Sequence, residues 1–127
     1  MSTVQDDPRS GDLESVLGAR GYTLPLHRVL AERDPDVLRA YEGMMRELYF
    51  KERRLSAATK ELIYVAVLVA LGASEEHIRA HMEKARREGA QPEDVLEAVE
   101  LVIPAAGVAR ASVGLEIWHA VFGPSRD

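Results

Sequence analysis

Cysteine is absent from this chain of 127 residues. With no thiol there is no disulfide, no thiolate metal ligand and no sulfur nucleophile, so redox thiol chemistry is excluded and the composition suits a reducing compartment. A polybasic run is also missing. Acids outnumber bases 21 to 16, a balance of −5, and such a field mildly repels nucleic acid. The N-terminal stretch MSTVQDDPRSGD offers neither the basic start nor the apolar stretch of a signal peptide. The most apolar run, Leu62 to Leu71, is about half of what a membrane-spanning helix requires. A cytoplasmic protein that binds neither nucleic acid nor membrane is therefore expected. Finally, no segment alternates apolar and polar residues over a useful length, and no Asn-Gly or Asp-Gly hairpin turn occurs, so strands are not expected.

What is present reads as helix. The hydrophobic fraction of 46% suffices for one globular domain and the length is too short for two. Residues 1–12 collect Asp, Ser, Pro and Gly and read as a flexible tail. A single helical domain is expected over 13–123, followed by a short tail at 124–127. After an apolar cluster at Leu24 to Leu30, Asp34-Pro35 has the pattern of an N-cap followed by proline at the first helical position. Val37, Leu38, Tyr41, Met44, Met45, Leu48 and Tyr49 then lay one apolar stripe along about four turns. Ser56 is the next cap, and Ala57 to Leu71 is apolar nearly all round, as a helix surrounded by others would be, with Gly72 as its stop. Ser74 caps a helix that opens with Glu75 and Glu76 and ends in Arg86 and Arg87, charges that match the helix dipole. Pro92, Glu93 and Asp94 open another helix, which buries Val95, Leu96, Val99 and Val102 or Ile103 and is kinked or ended at Pro104. The last segment, Ala105 to Phe122, is rich in small residues before Leu115, Ile117, Trp118, Val121 and Phe122, and small side chains admit a close neighbour. The whole predicts an all-α fold, a compact bundle of about six helices.

The helix after Ser74 carries the most informative residue. Its apolar stripe is Ile78, Met82 and Ala85, and His81 falls inside that stripe, so an ionisable ring is turned toward the core. A histidine there is either a structural one with satisfied nitrogens or a general acid/base, imidazole being the side chain that titrates near neutrality. His77 lies one turn earlier on roughly the same face. Two histidines so spaced can share a metal, but zinc needs a further ligand and the HExxH pattern is absent; only Glu61 or His119 would complete a site, through the tertiary fold. Glu61, read as lying in the first turn of its helix, is either a surface acid favoured by the dipole or a carboxylate that orients His81. The second reading requires the two helices to run antiparallel across the Gly72 turn. Arg110 is either solvated or a bidentate clamp for a substrate carboxylate. Tyr64, His119, His27 and Tyr41 are further candidates for a pocket lining.

The stretch LSAATKELIYVAVLVALGASEEHIRAHMEKARREGAQPEDVLEAVELVIPAAG, Leu55 to Gly107, closely resembles the core unit of the carboxymuconolactone decarboxylase family, and the likeness extends more weakly over about Pro35 to Phe122. The resemblance implies an alkyl hydroperoxidase D-like helical fold. In the thiol-peroxidase branch of that fold a Cys-x-x-Cys pair precedes a histidine. Ser74 and His77 stand at those positions here, so the Cys-dependent peroxidase chemistry is not expected. The decarboxylase branch lacks the cysteine pair and keeps the histidine matching His81. Membership there implies a cofactor-independent lyase acting on a small carboxylated lactone, with His81 as proton donor, Glu61 as its partner, His77 near the pocket, and a homotrimer or homohexamer. Two other readings stay open: a non-enzymatic ligand-binding module of the same fold, and a metal-dependent enzyme using His77 and His81.

Overall fold

The computed structural model describes residues 23–124. The expected tail at 1–12 lies outside the described residues, and of 124–127 only Pro124 is described. The chain divides into two compact units, Met1–Lys51 and Glu52–Asp127. No strand occurs among the described residues, so the fold is all-α. No described helix is long and apolar enough to cross a membrane.

In the first unit, α1 spans Pro25–Arg33 and α2 spans Pro35–Met45, and the chain continues through a π-helical turn at Arg46–Phe50. Proline opens both α-helices, where its missing N–H costs nothing, and the Asp34 carboxylate accepts from Val37 N–H at 3.4 Å. The stripe expected along this segment is only half covered. Leu38, Met45 and Tyr49 are buried, whereas Val37, Met44 and Leu48 are exposed. The π turn explains part of the mismatch, because one extra residue per turn rotates everything after Met45 out of the 3.6 register.

The second unit holds α3 (Ala57–Leu71), α4 (Glu75–Arg87), α5 (Pro92–Glu100), α6 (Val102–Ala106) and α7 (Val108–Phe122). Ser56 and Ser74 cap α3 and α4 through their hydroxyls, accepting from Thr59 N–H at 3.1 Å and from His77 N–H at 3.2 Å. At α5 the Asp94 carboxylate reaches back to Gln91 N–H at 2.8 Å. These bonds satisfy donors that the first helical turn leaves without a partner. Because the Ser74 cap holds the backbone of the turn that carries His77, Ser74→Ala is expected to cost about 1 kcal/mol, measurable as a lower denaturant midpoint with an unchanged m-value.

Gly72 terminates α3 in the left-handed region, at φ 74°, and Ala73 N–H donates back to Leu68 C=O at 3.0 Å. That reversal sends α4 antiparallel along α3. Gly72→Ala forces a Cβ into the left-handed region, expected to cost about 1–2 kcal/mol, and that Cβ would also displace the Arg110 guanidinium lying over the glycine. Thermal unfolding followed by circular dichroism measures the loss.

Two expectations need correction. The segment after α5 is not one helix from Ala105: α6 ends at Ala106, Gly107 takes φ 103°, and α7 starts at Val108. With a further turn at Leu101, the α-helical segments number seven among the described residues, in keeping with a compact bundle of about six helices. Helix α3, in turn, is not surrounded. Val65, Leu68 and Val69 are buried, but Ile63, Val67 and Leu71, at i, i+4 and i+8, form an exposed apolar stripe. Val95, Val99 and Val102 are buried as expected, Leu96 is half-buried, and Ile103 is exposed. The core of this unit joins α3, α4, α5, α6 and α7 around Val65, Ile78, Met82, Val99, Val102 and Ile117. Trp118 closes one end by donating its indole N–H to Pro92 C=O at 2.9 Å.

Candidate functional site

Helices α3 and α4 each contribute two residues to one cluster. Glu61 and Tyr64 are three apart on α3, and His77 and His81 are four apart on α4, so each pair shares a helix face. The antiparallel packing turns the two faces together. His81 Nδ1 lies 2.6 Å from Glu61 Oε1, with the side chains 2% and 1% exposed. The sequence expectation of an inward imidazole therefore holds. The alternative of Glu61 as a surface acid does not, and α3 starts at Ala57, which leaves no acid in its first turn.

A buried carboxylate and a buried imidazole each carry a heavy desolvation cost alone, and a short mutual hydrogen bond offsets it. An ionised carboxylate only accepts, so wherever Glu61 is ionised its partner in this bond is a protonated Nδ1. Tyr64 lies face to face with the His81 ring, centroids 4.7 Å apart and planes 4° from parallel. The His77 ring stands 5.3 Å away, tilted by 42°, and is half-buried. Chemically, the cluster can deliver a proton from a fixed imidazole and recover one through a neighbour nearer to solvent.

The other candidates do not join this cluster. Arg110 is exposed and overlies Gly72 at the far end of α3. Eleven residues of helix separate Gly72 from Glu61, roughly 16 Å. Arg110 borders a cavity of about 310 Å³ shared with Val69, Ala73, Ile78 and Val113. His119 is exposed on the last turn of α7. A second cavity, between α3 and α5, is open and apolar, with Leu62, Ile63, Ala66 and Leu101 on its walls and Asp94 and Glu97 at its rim.

In the first unit His27 is fully buried and accepts from Leu24 N–H through Nδ1 at 2.8 Å, and its Nε2 lies 3.6 Å from Glu42 Oε2. The Tyr41 ring stands 6.3 Å from it. Sequence reading named His27 and Tyr41 but missed Glu42. The only available signal was its position one residue beyond Tyr41, which does not distinguish it from any other acid on a polar face. Among the described residues no group of three or more His, Asp or Glu is arranged to hold a metal ion.

The model of the carboxymuconolactone decarboxylase family matches residues 35–120, more than half of the chain. The chain belongs to the carboxymuconolactone decarboxylase family. The match spans all four members of the cluster and covers both α3 and α4. No curated protein and no solved structure matches the chain. Family membership and the all-α fold agree with each other, and the cluster lies on the helix pair that carried the resemblance.

Proposed function

We propose that this family member is a cofactor-independent lyase that decarboxylates a small carboxylated lactone or ring compound, with the Glu61–His81 pair as its acid/base centre. The observation that carries the reading is the 2.6 Å contact between two ionisable side chains that are almost wholly withdrawn from water. A structural histidine can be satisfied by neutral backbone or side-chain partners. Pairing it with a buried acid from another helix, twenty residues away, is an expensive arrangement that suits proton transfer.

In the reaction the bond between a ring carbon and its carboxylate breaks, carbon dioxide leaves, and the electron pair passes into the conjugated lactone. The His81 imidazolium then gives its proton to carbon and regains one from solvent, so the balance is one carboxylate and one proton in, one C–H and one carbon dioxide out. Glu61 stabilises the charged ring and fixes which nitrogen is outward. His77, half-buried one turn before His81, serves the return of the proton. Arg110 and His119 would act on the substrate carboxylate only from another copy of the chain or after rearrangement, since Arg110 stands at the opposite end of α3.

Assembly into a homotrimer or homohexamer belongs to the same reading, and so does a cytoplasmic location. It is supported by the exposed stripe of Ile63, Val67 and Leu71 together with Leu101 and Val108, apolar surface that a small chain gains by covering with copies of itself. Sedimentation equilibrium on the full chain is expected to give a mass of three or six protomers, and a monomer at micromolar concentration would refute the assembly. The activity itself is tested by incubating the purified chain with carboxymuconolactone and following carbon dioxide release. Turnover without added cofactor supports the lyase, and saturable binding with no turnover favours the ligand-binding module instead.

A further inference from the structure

We infer that Tyr64 is a positioning residue for the His81 imidazole, and that it acts through that ring with no contact of its own to substrate. The inference rests on the acid/base reading of His81. Tyr64 follows Glu61 by three residues, so α3 presents a carboxylate and a phenol ring from one face to the same imidazole. Their tasks differ. The 2.6 Å bond from Nδ1 to Glu61 Oε1 anchors one atom of the ring and leaves the ring plane able to swing about that bond, because the terminal torsion of histidine is broad.

The Tyr64 face removes that remaining freedom. Planes 4° from parallel with centroids 4.7 Å apart describe an offset stack, one of the favoured arrangements for two aromatic rings. His77 cannot do the same, since its ring is tilted by 42° and comes from the helix that carries His81 itself. With Nδ1 held and the plane set, the Nε2 edge is the part of His81 presented to a reacting molecule. A proton passes along the in-plane nitrogen lone pair, so a ring that tilts bends its hydrogen bond to Glu61, is no longer confined to one tautomer and loses its aim. Misplacement of a reacting group by about 1 Å is enough to cost on the order of 100-fold in rate.

The test uses Tyr64→Leu, which removes the face, and Tyr64→Phe, which keeps it and removes only the hydroxyl. Both are made in the full chain, ¹⁵N-labelled at histidine, and studied without substrate at a pH where the ring is neutral. The unmodified chain and Tyr64→Phe are expected to show one His81 tautomer, protonated at Nδ1. In Tyr64→Leu the two nitrogen shifts are expected to move toward each other as the ring samples both tautomers. With carboxymuconolactone, Tyr64→Leu is expected to lose about 10- to 100-fold in kcat at nearly constant KM, and Tyr64→Phe to restore it.

A folded Tyr64→Leu with the native tautomer pattern overturns the inference. So does a Tyr64→Phe whose KM rises, because that places the hydroxyl on the substrate. If Tyr64→Leu does not fold, the unmodified chain still decides: His81 ring protons without an upfield ring-current shift overturn the stack. Absence of any turnover by the unmodified chain refutes the lyase reading and leaves the nitrogen spectra to judge Tyr64.

Discussion

Replacing His81 by alanine is expected to lower carbon dioxide release from carboxymuconolactone by about 10²- to 10⁴-fold, the usual worth of a positioned general acid. The reason lies in what remains. Glu61 is 1% exposed and without the imidazole it is a buried acid facing a hole, too far from being a donor in its ionised form to replace one. Removing one partner of a buried pair also costs roughly 3–5 kcal/mol of stability, so lost activity in His81→Ala has two possible origins. His81→Gln separates them. Glutamine nearly fills the space and offers an N–H to Glu61, yet it does not titrate, so a folded and inactive His81→Gln assigns the loss to chemistry. Glu61→Gln should be milder, about 10- to 100-fold, since its amide still meets Nδ1 but no longer imposes one tautomer. Initial rates with circular dichroism on the same samples check all three. Rates unchanged in His81→Gln would move the centre elsewhere.

Gly114→Leu is expected to destabilise the second unit by about 3 kcal/mol, the upper end of ordinary overpacking, and to lower the unfolding midpoint by roughly 12–24 °C. Gly114 is buried in α7, where even a Cβ would stand 2.7 Å from Val69 Cγ1, 2.9 Å from Val69 Cγ2 and 3.0 Å from Val99 Cγ1. Those valines are β-branched, stiff at χ1 and themselves almost fully buried, so they cannot swing aside as the end of a long side chain would. The contact is where α7 seats against α3 and α5 at once. In an exposed helix position Gly→Ala stabilises by about 0.5–1 kcal/mol; here Gly114→Ala is expected to lose stability, with the clash outweighing the gain in propensity. Differential scanning calorimetry of both variants ranks them, and a Gly114→Leu melting at or above the unmodified chain would mean that the helices are not in close contact there.

How far this molecule was readable in advance varies with the range of the interactions. Ser56, Ser74 and Asp34 announce their helices because a cap acts over three residues. His81 could be placed inward from Ile78, Met82 and Ala85 because helical periodicity alone orders neighbours on a face. The smallness of the last segment anticipated a close approach, and Gly114 provides it. The π turn after Met45 was not readable, since Arg46 to Phe50 carries the same apolar spacing that an α-helix would. Gly107 was passed over for Pro104, although a glycine at φ 103° ends a helix more sharply than a proline that α6 accommodates.

At the site, the residues were legible, the pairing of Glu61 with His81 stood as one of two open readings, and the place of Tyr64 was not legible. Sequence pointed to Glu61, Tyr64, His77, His81, Arg110 and His119 without ranking them by place. Only the reversal at Gly72 sorts them, because an antiparallel return carries His81 back to Glu61 and Tyr64 while Gly72 itself keeps Arg110 at the other end. The chain alone therefore determined the all-α character, the helix starts and the family, all of which depend on residue types within a few turns. Tertiary structure decided that an acid and an imidazole twenty residues apart share a hydrogen bond out of reach of water, that a tyrosine lies flat against that imidazole, and that one side of α3 stays bare. Such facts depend on which helix faces meet, and facing is a property of packed pairs that no single segment contains.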